Sequence, residues 1–247
     1  MLISIVDAQG KIVRQLHATG HAGLNRQAWD LRYDPPQLVA LRTTPPDNPH
    51  IWEEPRFRGA DSRPITHWGA AEAQVGPIAA PGKYMAKLTV DGESYQQPIE
   101  ILPDPHSTGS PAEIQATVDL QLRIRGAINS VSSMVNRIEW ERKQLEITRK
   151  ATPAKAKEID EKDQKLQAVE YKLITRSLAL SDDKYFVEAY NLYFNLIWLN
   201  GEVGTGGGDV AGGADLGPTD TARALVADLE KQLAAVEAEY QKVVPPL

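Results

Sequence analysis

The sequence predicts an α+β chain of two domains, an N-terminal β-sandwich followed by a C-terminal antiparallel helical bundle with an extended hairpin. Three observations carry this reading. Twelve of the 17 prolines precede residue 106, and proline suits loops and strand edges but is costly inside helices. Apolar residues alternate with a period of two before that point and recur about every 3.6 residues after it. The length of 247 residues suits one large domain or two ordinary ones. The change of pattern selects two, residues 1–105 and 106–247.

The first strand is the apolar run Leu2 to Val6. Asp7-Ala-Gln-Gly10 follows, with Asp opening a type I turn and Gly supplying a positive φ. Lys11 to His17 returns as the second strand, placing Ile12 with Leu16 and Val13 with Gln15. Gly20 and Gly23 mark a loop. Asn25 to Tyr33 alternates again, with Trp29 and Leu31 as expected core members. Tyr84, Ala86, Leu88 and Val90 share one face of a later strand. Asp91-Gly92 is a hairpin turn, and the return strand Tyr95 to Ile101 carries Pro98, which marks an edge. Five short strands around tight turns read as a small sandwich.

Residues 34–82 interrupt it. An insertion this long is unusual in a compact domain and is often functional. It carries Trp52, Glu53, Glu54, Asp61, His67 and Trp68. Paired carboxylates and aromatic platforms are what a glycosidase or a sugar-binding surface uses. Trp52, His67 and Trp68 are therefore the candidate ligand- or partner-binding residues. The alternative is that these aromatics pin a long loop to its own domain or to a neighbour. No catalytic residue is assigned, because adjacent Glu53 and Glu54 do not by themselves flank a bond.

The second half opens with Ser110-Pro-Ala-Glu113, a capping box with Pro at the first helical position. Ile114, Val118, Leu122, Ile128, Val131, Val135 and Ile138 continue it as a helix reaching Lys150, ~60 Å at ~1.5 Å per residue. Thr152-Pro153 starts a second helix through Ile159, Leu166, Val169, Leu173 and Leu180. The stretch Lys155 to Lys165 between them is almost wholly charged and reads as a solvated hairpin end, or as a docking surface. Phe186, Tyr190, Tyr193 and Ile197 mark a third helix rich in aromatics, assigned to internal packing. A glycine-rich loop, residues 201–217, precedes a fourth helix capped by Thr219 or Asp220 and ended by Pro245-Pro246.

Composition excludes several classes. There are 33 acidic and 27 basic side chains, giving a net charge of -6, which argues against a general nucleic-acid binder. No apolar run approaches the ~20 residues of a membrane helix. Cysteine is absent, so disulfides, thiolate metal sites and a cysteine nucleophile are excluded. His17 and His21 lie at a strand end and a turn with no third ligand, so no metal site is assigned. Gly206-Gly-Gly208-Asp-Val-Ala211 matches a dinucleotide fingerprint only formally, since no strand precedes it. No cofactor is expected.

Ile5-Val-Asp-Ala-Gln-Gly-Lys-Ile-Val-Arg14, Gly23-Leu-Asn-Arg26, Trp29-Asp-Leu-Arg32, Gly76-Pro77 and Pro81-Gly-Lys-Tyr84 resemble the immunoglobulin-like module of the flagellar hook-capping type. The two halves together are similar to the C-terminal region of large secreted bacterial proteins with sortilin-like or sialidase-like, BNR-repeat β-propellers. In that family the Ig-like module follows the propeller and a helical segment follows the module. The resemblance is firmest over residues 3–33 and 76–105, and the helical half matches by layout. It implies an Ig-like sandwich, a protein partner such as a β-propeller domain, and a periplasmic or extracellular location. No signal peptide is visible, because Met1 leads straight into strand sequence. The propeller and its Asp-box repeats are missing, so no family active site can be carried over. On this reading the chain is an accessory C-terminal piece of something longer. Three functions follow as expectations. The first is a non-catalytic interaction or structural module. The second is a glycan-binding or hydrolase-associated module using residues 34–82. The third is a surface or filament subunit that binds copies of itself.

Overall fold

Asp7 builds the first turn. Its Oδ1 accepts the Gln9 and Lys11 amides at 3.0 and 2.8 Å, and Gly10 closes the turn at φ 79°. In the computed structural model, which describes residues 1–45, 48–65, 74–176, 188–205 and 217–244, this turn joins strand β1 (Leu2–Val6) to β2 (Ile12–His17). A second hairpin joins β3 (Gly82–Val90) to β4 (Glu93–Ile101). Its two turn residues, Asp91 and Gly92, have φ values of 50° and 88°, the positive pair that a tight two-residue turn requires. The strands form one four-stranded antiparallel sheet in the order β2-β1-β3-β4. Four helices complete the α+β chain: α1 (Pro111–Ala151), α2 (Ala156–Leu173), α3 (Leu192–Thr205) and α4 (Asp220–Val243). No helix among the described residues is long and apolar enough to cross a membrane.

The chain forms two compact units that interleave along the sequence. The first comprises Met1–Pro35, Val75–Arg123 and Gly201–Asp220; the second comprises Pro36–Gln74, Ile124–Asn200 and Thr221–Leu247.

In the first unit, the sheet buries one face. Ile5 and Tyr84 from the strands meet Tyr33, Ala79, Ala80 and Val118, with Trp29 packed against them. The Trp29 and Tyr84 rings meet edge to face at 5.9 Å, an arrangement favoured by the ring quadrupoles. Burial pushes the Tyr84 hydroxyl up to about 12, and it donates to Ala80 O at 2.7 Å. Ile114, Val118 and Leu122 of α1 belong to this core. The Ser110 capping box closes reciprocally: Ser110 N donates to Glu113 Oε2 at 2.8 Å and Glu113 N to Ser110 Oγ at 3.3 Å.

Two expectations fail here. Asn25 to Tyr33 is not a strand; it makes a single bridge, Arg32 with Ile78. Leu31 has a positive φ of 58°, which breaks the pleat and leaves Leu31 exposed while Trp29 and Tyr33 turn inward. The alternation of β2 is broken too. Ile5 pairs with Arg14 but Val6 pairs with Ile12, so Val13 is the extra residue of a bulge. Val13 goes into the core and Ile12 faces solvent.

Pro98 occupies the one kind of position a strand allows it. Val90 and Glu93 flank the tight turn and Met85 pairs with Pro98 five rungs along. Hydrogen-bonded and open rungs alternate in an antiparallel ladder. Pro98 therefore falls on an open rung, with its ring nitrogen toward the free edge of β4.

In the second unit, α1 and α2 form an antiparallel hairpin. Arg149 pairs with Asp160 at 2.6 Å, and one turn or more back along α1, Arg142 pairs with Asp163 and Glu170. Thr152 does not cap α2 directly. A 3-10 turn, Pro153–Lys155, intervenes, and Thr152 makes no side-chain cap bond. The core is formed by Ile128, Val135 and Ile138 of α1, Leu166 and Leu173 of α2, Phe194 and Ile197 of α3, and Val226 of α4. Tyr193 and Phe194 are buried and meet edge to face at 5.7 Å. Leu180, Tyr185 and Phe186, the glycine run after Thr205, and Pro245-Pro246 lie outside the described residues.

Candidate functional site

Within the insertion, residues 37–44 form a strap along α1. Among the described residues the strap pairs with another segment by backbone only at the Leu41–Arg63 bridge. Its backbone groups are met instead by polar side chains of one helix face. Asn129 Oδ1 accepts Gln37 N at 2.7 Å, and Ser132 Oγ donates to Gln37 O at 2.7 Å. Asn136 serves both sides, accepting Ala40 N at 2.7 Å and donating to Leu38 O at 3.0 Å. Glu139 accepts the Arg42 amide, the Thr43 amide at 2.7 Å and the Thr43 hydroxyl at 2.7 Å. Glu146 accepts Thr44 N and Oγ1 at 3.3 and 3.1 Å.

Trp52 belongs to this strap. It lies on the 3-10 turn Ile51–Glu53, half-buried, beside buried Ile51. Its Nε1 donates to Thr44 Oγ1 at 3.2 Å, and Lys143 Nζ sits 5.7 Å from its ring centroid. Glu53 meets His50 at 3.2 Å and Glu54 meets Arg56 at 2.8 Å. Neither carboxylate faces the other across a cleft in these pairings. His67 and Trp68, the other two candidates, lie outside the described residues. Among the described residues no group of three or more His, Asp or Glu could hold a metal ion.

Beneath the strap is a buried ionic cluster. Arg142 Nη1 reaches Glu170 Oε2 at 2.5 Å and Glu139 Oε1 at 3.3 Å, while its Nε reaches Asp163 Oδ1 at 2.8 Å. Glu139 and Glu170 are each only 1% exposed. Burial opposes the charge of Arg142, but Glu170, Asp163 and Glu139 hold it protonated above its usual range. Burial, followed by the nearby Glu139, pushes the Glu170 carboxyl well above the usual carboxylate range despite Arg142. Burial also acts upward on Glu146, but Lys150, Lys143 and the Thr44 amide outweigh it and leave Glu146 below that range. A buried charge is tolerated only when paired and hydrogen-bonded, and each member here is.

The Trp29-Asp-Leu-Arg32 string in the first unit is also structural in its contacts. Trp29 Nε1 donates to Arg32 O at 2.9 Å, Arg32 N to Asp30 Oδ1 at 3.1 Å, and Arg32 Nη1 to Gly76 O at 2.9 Å. Gly76 is the tightest point. A Cβ there would lie 2.0 Å from Tyr33 O, so no side chain fits.

Sequence reasoning found Trp52 but missed Asn129, Asn136, Glu139, Arg142 and Glu170. A signal was present: polar residues recur at 129, 132, 136, 139, 142 and 146, three or four apart, which is the spacing of one helix face.

No family model, curated protein or solved structure matches this chain.

Proposed function

We propose that the chain is a non-catalytic interaction and structural module: an Ig-like β-sandwich unit and a helical bundle serving a secreted β-propeller protein, in the periplasm or outside the cell. The observation that carries this reading is how the insertion spends its polar groups. Glu53 and Glu54 pair within their own loop, Trp52 bonds Thr44 and lies against Lys143 of α1, and the helix side chains that reach the strap are taken up by its backbone and its threonine hydroxyls. Such a strap supports a fixed surface. The resemblance of residues 3–33 and 76–105 to modules that follow propellers supplies the partner class.

Two measurements test it together. The purified chain is mixed with β-propeller domains encoded in the same genome and followed by calorimetry and light scattering; saturable 1:1 association is expected. It is also assayed on a panel of chromogenic glycosides beside Glu53→Gln and Glu54→Gln. Turnover that disappears in either variant would overturn the non-catalytic reading. Retention of the wild type on a glycan array, lost in Trp52→Ala, would replace the protein partner by a sugar. Light scattering that shows a multimer of this chain alone would favour the self-assembling subunit.

A further inference from the structure

The cluster under the strap has more negative groups than one guanidinium can answer. Arg142 Nη1 is shared by Glu170 at 2.5 Å and Glu139 at 3.3 Å. Two carboxylates on one nitrogen lie within the ~4–6 Å over which like charges oppose joint ionisation. Asp163 already occupies the other side of the same guanidinium. The groups facing the pair can be named element by element. From α1 come Arg142, with Lys143 and Glu146 on the next turn. From α2 come Asp163 and Tyr171, the latter within the field of Glu139 and Glu170. From the strap segment come the Arg42 and Thr43 amides, the Thr43 hydroxyl and Arg63, whose charge is felt by Glu139.

The two acids are not equivalent. Glu139 accepts four donors: two strap amides, the Thr43 hydroxyl and Arg142. Each of these contacts presents a donor to Glu139, so Glu139 is the acceptor of the pair. Glu170 reaches Glu139 as well as Arg142, and a carboxylic acid there donates where a carboxylate would repel.

We propose that Glu139 and Glu170 hold a single proton between them, resident on Glu170, and that this proton locks the strap and α2 to the same face of α1. When it leaves for solvent, two adjoining buried anions face one guanidinium. The pair must then separate or admit water. Glu139 carries the Arg42 and Thr43 amides, so the strap loosens together with the α2 turn around Glu170. The sign follows from the linkage. The unfolded chain releases this proton at the ordinary glutamate value near ~4.3, and the folded chain releases it well above that. The lock is therefore strongest at the acid end of this window and weakens as pH climbs through it.

Amide exchange measured by NMR from pH 5 to pH 9, corrected for intrinsic rates, tests the proposal in wild type and Glu170→Gln. The amide of Gln keeps a neutral donor at every pH. In wild type, protection of Arg42, Thr43 and the α2 amides near Glu170 should fall together by tenfold or more as pH rises. In Glu170→Gln it should stay flat within about threefold. A flat wild-type profile, or a variant that falls in parallel with wild type, overturns the proposal. If Glu170→Gln does not fold, the 13C carboxyl shift of Glu170 in wild type decides: titration in the ordinary carboxylate range refutes it, and titration well above that range supports it.

Discussion

Glu139→Ala is the sharpest probe of the strap. The side chain is 1% exposed and accepts the Arg42 and Thr43 amides, the Thr43 hydroxyl and Arg142 Nη1. Truncation orphans two backbone donors. Each buried unpaired donor costs ~1–3 kcal/mol. The hydroxyl can rotate to another acceptor and Arg142 keeps Glu170 and Asp163, so neither adds a full penalty. Removing one of two crowded carboxylates returns ~1 kcal/mol. The net loss is about 3 kcal/mol, which for a chain of this size lowers Tm by roughly 6–12 °C. Glu146→Ala is the control. Glu146 is 23% exposed and its lost Thr44 contacts can be replaced by water, so about 1 kcal/mol is expected. Urea titration followed by circular dichroism gives the two values, and amide exchange of residues 37–44 shows whether the loss is in the strap. A Glu139→Ala loss no larger than that of Glu146→Ala would refute the idea that the strap hangs on this carboxylate.

Gly76→Ala should lose ~2–3 kcal/mol in a chemical melt, because its Cβ would meet the Tyr33 carbonyl rather than a yielding side chain. An unchanged midpoint would mean the 33–34 and 76–77 segments are not apposed. The Ser110 hydroxyl and amide hold the Glu113 carboxyl below its usual range. The cap therefore acts above the ordinary glutamate value and is lost as pH falls through the depressed one. Amide protection of the first α1 turn should drop below about pH 4 in wild type, and Ser110→Ala should show the low protection already at neutral pH. Pro98→Thr restores an edge donor on β4, so sedimentation should detect concentration-dependent association absent in wild type. An identical sedimentation profile would place the guard elsewhere.

The parts of the fold that the sequence made legible are those governed by nearest neighbours. Asp7 and Gly10, Asp91-Gly92, and Ser110 with Glu113 are local devices, and each forms as its spacing predicts. The long run from Ile114 to Ile138 is helical because nothing in it competes with the 3.6-residue period. The failures are non-local. Val13 enters the core only because β1 and β2 pair across a bulge, and Leu31 leaves it because a positive φ turns the chain. Neither event is written in the alternation. The buried polar face of α1 was illegible for the same reason. Glu139 and Arg142 have solvent-seeking types, and they become interior only because α2 and the strap, folded back from about a hundred residues earlier, pack on them. Trp52 was found because a tryptophan in a polar loop stands out, but its partner Thr44 and its neighbour Lys143 come from tertiary packing.

The choice of a polar ladder over an apolar one has a consequence for function. Val39 and Leu41 of the strap are each 3% exposed, and the backbone groups beside them bond fixed helix side chains; both oppose a slip. A one-residue shift of Gln37–Thr44 would swap inward and outward groups and strand Glu139 against a strap carbonyl. Polar contacts of this kind add little net stability compared with apolar burial, but they select one register. A lid that opens and closes over a substrate needs several positions of similar energy, whereas an interaction surface needs one. The ladder from Asn129 to Glu146 provides one, which supports the proposed reading of the insertion as part of a presented surface.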